Sequence, residues 1–68
     1  MNKSELIQDL KIRIKHNEQE VGMHEQKHGE YVAKYPKQIC SVNSEMADWH
    51  KGKIAAYNYV IKMLEAAQ

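Results

Sequence analysis

The sequence predicts an all-α fold, a two-helix antiparallel hairpin that dimerises into a four-helix bundle or coiled coil. Three observations carry this. Ile7, Leu10, Ile14, Asn17, Val21, His24, His28, Tyr31 and Tyr35 recur at alternating intervals of three and four, the spacing that keeps one stripe of a helix turned toward a neighbour. Ile54, Tyr57, Ile61 and Leu64 repeat the spacing near the other end, widened by Met46, His50 and Val60. Pro36 stands between the two stripes and breaks the chain there.

The first helix is expected over residues 4–34. Asn2 followed by Glu5 three residues on reads as a capping box, with Ser4 as the rival cap. Asp9 with Arg13, and Glu30 with Lys34, are favourably oriented i,i+4 pairs, each contributing a few tenths of a kcal/mol. Thirty residues of helix extend roughly 45 Å. Two features oppose this assignment. Gly22 and Gly29 each cost about 1 kcal/mol relative to Ala, though seven apart on one flank they would let a partner approach closely. Residues 10–15 alternate apolar and basic, as a half-buried strand does. No turn residues bound that run, and the heptads on either side stay in register, so the helix is preferred and Ile12 falls on its outer face.

Pro36 ends this helix by disfavouring helical geometry at Tyr35. Residues 36–42 form the connection. Ser41, Asn43 or Ser44 caps a second helix over residues 43–66, weakened internally by Gly52. So short a connection makes the helices antiparallel neighbours. Folding about residue 39 makes facing positions sum to 78, setting His28 against His50, His24 against Ile54 and Asn17 against Ile61. Residues 1–68 then form one domain.

Composition limits what such a hairpin can do alone. In 68 residues there are thirteen Leu, Ile and Val and no Phe, so a monomeric core is thin and oligomerisation is the expected remedy. The expected dimer core is Ile7, Leu10, Ile14, Asn17, Val21, Ile54, Tyr57, Ile61 and Leu64. Asn17 is the polar exception in that seam, of the kind that fixes register or oligomeric state at some cost in stability; a solvated gap at mid-hairpin is the plainer alternative.

Charge excludes more than it suggests. Residues 1–37 carry seven Lys/Arg and six Asp/Glu, and residues 38–68 carry three of each. Neither half has the asymmetry of a segment that grips nucleic acid or an anionic membrane. Lys11, Arg13 and Lys15, with Lys3 and His16 nearby, ring the rod rather than track a phosphate backbone. No apolar run approaches the ~20 residues of a membrane span. The first ten residues hold acidic side chains and no signal-peptide core, and the single Cys40 forms no internal disulfide. A reducing cytoplasm is the expected location.

Three constellations bear on chemistry. His24-Glu25-Gln26-Lys27-His28 is similar to the zincin pattern H-E-x-x-H, in which two imidazoles one turn apart bind zinc and the Glu is the general base. The likeness covers five residues. A zincin also requires a third ligand, a cleft and a sheet edge, which two helices do not supply. A di-iron reading from Glu25 and His28 fails for want of carboxylates on the second stripe, since Glu45, Asp48 and Glu65 all lie off it. A simpler metal site remains: His24, His28 and His50, with Cys40 or Glu25 completing the set. Against it stands the reading of these histidines as seam residues bonded to one another, to tyrosines or to Glu20.

No catalytic residue and no cofactor is therefore expected. Cys40 has no base among Gln38, Ile39 and Ser41 to activate it. Tyr31, Tyr35, Trp49 and Tyr59 are candidate partner-binding residues, because Trp and Tyr are enriched in binding hot spots. The function expected is that of a small non-enzymatic interaction protein, which binds a protein partner stoichiometrically and blocks or bridges it. In type it resembles accessory inhibitors of phages and mobile elements. A histidine-based metal-binding protein is the alternative.

Overall fold

The computed structural model describes residues 2–67 as two antiparallel helices, α1 over Lys3–Lys34 and α2 over Val42–Ala66. The helical hairpin read from the periodicity is therefore correct, and residues 10–15 are helical throughout. Ile12 stands 59% exposed on the outer face, where the heptad count puts it.

Each helix starts at a side-chain cap, which satisfies backbone N–H groups that have no intrahelical partner. Asn2 accepts from Glu5 N at 2.8 Å, and its amide donates to Glu5 Oε1 at 3.1 Å. At α2, Ser41 and Ser44 form a reciprocal box: Ser44 N donates to Ser41 Oγ, and Ser41 N donates to Ser44 Oγ. Asp9 and Arg13 pair at 2.8 Å as expected. Lys34 instead leans toward the Tyr35 ring, 5.6 Å from its centroid.

The register differs from the one expected. His28 meets Ser41, His24 meets Asn43, Asn17 meets His50, and Lys3 reaches the carbonyl of Ala67. Facing positions thus sum to 67–70, not 78, a slide of eight to eleven residues or roughly 12–16 Å of one helix past the other. The connection explains it. Gln38 N donates to Tyr35 O and closes a tight turn over residues 35–38. The non-helical residues after it run back beside the last turns of α1, so α2 begins abreast of His28 rather than abreast of the end of α1. Folding about residue 39 had treated those residues as helix.

The two stripes meet from Ile7 to His28 of α1, and Tyr31 and Tyr35 lie beyond the start of α2. Leu10, Ala47 and Ile61 are buried, together with Asn17 and His50. Ile7, Ile14, Val21, Ile54, Tyr57 and Leu64 also lie on the facing stripes but remain half-buried. All nine residues expected in a dimer core thus line the interface within one chain. The second stripe is longer than expected, running Asn43, Ala47, His50, Ile54, Tyr57, Ile61, Leu64. His50 lies in its centre line, whereas Val60 does not widen it.

Two helices cannot enclose a core. The molecule measures 52 × 15 × 12 Å. Its radius of gyration is 15.7 Å, against about 11 Å for a compact 68-residue domain. One position before each residue of the buried stripe, α2 carries a second heptad row of Val42, Met46, Trp49, Lys53, Ala56, Val60 and Met63. Most of this row faces solvent: Val42 is 68%, Trp49 54% and Met63 55% exposed.

Candidate functional site

The polar centre of the hairpin is built around Asn17. A short amide in the fourth turn of α1 is surrounded by aliphatic positions of the seam, so both its polar atoms need protein partners. Its Nδ2 donates to the Arg13 carbonyl one turn back, at 2.7 Å. Its Oδ1 accordingly faces α2 and accepts from His50 Nδ1 at 2.6 Å. Asn17 is 4% and His50 7% exposed. This bond is the buried polar tie between the helices, and it exists only in the observed register. A slide by one heptad would break it, setting Asn17 against Asn43 or Tyr57 instead.

His24 sits two turns farther along α1 and stacks on His50, with centroids 5.7 Å apart and planes 17° from parallel. Its Nδ1 donates to Asn43 Oδ1 at 2.9 Å. Its Nε2 lies 3.7 Å from Glu20 Oε2, and the other oxygen of Glu20 is 3.9 Å from His16 Nε2. Glu20, His24 and His50 each place a potential ligating atom within 4.8 Å of the other two. Trp49 closes the outer side, edge-on to His50 at 5.0 Å, with Lys53 Nζ 3.9 Å from its ring centroid.

The structure rearranges the histidine set read from the sequence. His24 and His50 come together, whereas His28 is drawn to Ser41 Oγ at 2.8 Å, beside the cap of α2. His28 leaves the group because the slid register puts the start of α2, not His50, opposite it. Glu25, the would-be base of the H-E-x-x-H pattern, faces Lys51 at 3.6 Å. Cys40 is exposed in the connection. Glu20 is expected only as a bonding partner of the histidines and Asn43 only as a cap, and Ala47 is not expected at the site. The signals for them were Glu20 one turn before His24, and Asn43 and Ala47 at heptad positions counted back from Ile54.

The four aromatic candidates do not form one patch. Tyr31 and Tyr35 pair at the turn end, with centroids 5.1 Å apart. Trp49 belongs to the level of Asn17, fourteen residues or about 21 Å along α1 from Tyr31. Tyr59 is 65% exposed and lies off the Trp49 row. Arg13 is held above the ordinary arginine range, first by its hydrogen bond to Asp9 and then by that carboxylate's charge, with a smaller contribution from the Tyr57 hydroxyl. A raised arginine loses its contribution only as pH rises past that range, so this pair gives no switch near neutrality.

Two shallow depressions, about 410 and 350 Å³, are lined by Lys3, Ser4, Ile7, Gln8 and Lys11 and by residues 34–38. Neither holds a histidine or a carboxylate. No helix among the described residues is long and apolar enough to cross a membrane. No protein family, curated protein or solved structure matches this chain.

Proposed function

We propose that this chain is a non-enzymatic helical interaction protein that works as a homodimer and binds a protein partner stoichiometrically, blocking or bridging it. The observation that carries the reading is the uncovered apolar row of α2 above a core that two helices leave half open. A compact monomer of this mass exposes about 4,400 Å². The hairpin exposes 5248 Å². The surplus of about 800 Å² equals what one partner contributes to a standard protein interface.

The row has the make-up of a helix-packing surface. Trp49 supplies a large anchor of the type enriched in hot spots. Val42, Val60 and Met63 supply aliphatic area, and Ala56 leaves room for a second helix to approach. Pairing α2 with α2 of another copy produces a four-helix bundle and leaves the turn-end pair Tyr31 and Tyr35 free for a different protein. Blocking or bridging, rather than turnover, fits a surface whose two shallow depressions hold no histidine and no carboxylate.

Trp49 is the sole tryptophan, so it reports on its own row. Its emission should be blue-shifted at high protein concentration and move to the red on dilution through the dimer dissociation range. Red emission that stays constant from nanomolar to hundreds of micromolar would contradict a second copy on this face.

A further inference from the structure

We infer that Glu20, His24 and His50 form a binding site for a divalent transition-metal ion of the Zn²⁺ class, with Asn17 and Asn43 as positioning residues. The argument begins with the protons. Asn17 uses its Nδ2 on the Arg13 carbonyl, so its Oδ1 holds the proton of His50 on Nδ1. Asn43 Oδ1 does the same for His24. In both neutral rings the lone pair is therefore on Nε2. Metal-binding histidines have this arrangement, with the distal N–H fixed by an oxygen acceptor that sets tautomer and ring orientation. Here two asparagines, one from each helix, supply it to two stacked rings.

The free lone pair of His24 faces a carboxylate oxygen, Glu20 Oε2, at 3.7 Å. A water or a proton can bridge two such acceptors, and so can a cation. His50 offers a third potential ligand within 4.8 Å of both, and a group of this size and composition is a donor set for a metal ion. Two imidazoles and a carboxylate suit zinc and its neighbours rather than calcium or magnesium. Tetrahedral Zn²⁺ with ligand bonds near 2.0–2.1 Å needs its ligands roughly 3.3 Å apart. Glu20, flexible and 30% exposed, closes its side of that gap by moving, and the His24 and His50 rings must tilt out of their stack to bring both Nε2 atoms onto the ion.

The site differs from the one the H-E-x-x-H spacing suggests, since His28 and Glu25 take no part. It also ties α1 to α2 in the same register as Asn17, so the ion would lock the hairpin. It stands independently of the interaction surface proposed above: the Trp49 row can fail while this site binds, and the reverse.

The test uses the full chain without a histidine tag, titrated with Co²⁺ at pH 7.5 and followed by visible ligand-field absorption. One ion per chain should bind saturably, Zn²⁺ should displace it, and Zn²⁺ should raise the melting temperature in a way EDTA reverses. Glu20→Gln and His24→Gln should weaken binding at least tenfold, and Asn43→Ala about tenfold through lost orientation of His24. His28→Gln should bind as wild type does. Circular dichroism checks that each variant is folded, and the half-exposed Glu20→Gln keeps the test decisive if His24→Gln is not. Absence of a saturable band, a band unchanged in folded Glu20→Gln, or a band lost in His28→Gln would each overturn the site.

Discussion

Replacing Asn17 by alanine should destabilise the protein although it improves the helix. Alanine is the better helix former by up to roughly 0.7 kcal/mol. Against this, the substitution removes the acceptor of His50 Nδ1, and His50 is only 7% exposed. A buried donor without a partner costs about 1–3 kcal/mol. The net loss is then on the order of 1–2 kcal/mol, or about 4–16 °C in melting temperature for a domain of this size. Replacing both partners removes the unsatisfied group, so Asn17→Leu with His50→Leu should recover most of the loss or exceed wild type. The assay is a double-mutant cycle by urea denaturation at one fixed protein concentration, because association contributes to apparent stability. A coupling energy near zero, or Asn17→Ala as stable as wild type, would refute the account of the buried tie. The apolar pair should also loosen the register, visible as broadened amide resonances, since the bond that penalises sliding is gone.

Two other perturbations test the packing. An added Cβ at Gly22, Gly29 or Gly52 meets nothing within 4 Å, so each Gly→Ala variant should gain up to about 1 kcal/mol in thermal denaturation; a loss at any of them would reveal close packing that the hairpin does not contain, such as that of an associated chain. Ser41→Ala removes the capping box and the partner of His28 together, and should cost about 0.5–2 kcal/mol with fraying confined to the first turn of α2 in hydrogen exchange.

How far the sequence could be read depended on what each interaction needs to be recognised. Helix identity was legible because periodicity accumulates over many residues, and the run at residues 10–15 could not outweigh four heptads in register. The caps were legible as a short choice of residues, from which the structure selects Asn2 and Ser41. The register was not. It turns on how many residues the chain spends returning after Pro36, and extended residues cover more than twice the distance of helical ones per residue. That one error displaced His28 from His50 and hid the Asn17 bond, although Asn17 itself stood out as the polar break in the seam. Asn43 was obscured for the same reason, since it acts across the helices and only the true register shows which histidine it serves. Glu20, one turn before His24 on the same helix, was legible as a histidine partner.

The central claim, that the exposed row of α2 is an interface, is tested most directly by sedimentation velocity on the wild type and Val60→Glu at matched micromolar concentrations. Val60 lies on that row and is 39% exposed in the hairpin, so a carboxylate there leaves the fold intact but is desolvated by a covering chain. The account predicts a wild type of twice the 7.9 kDa chain mass and a helical, monomeric Val60→Glu. A wild type that sediments as a monomer, or a variant that stays dimeric, would contradict it.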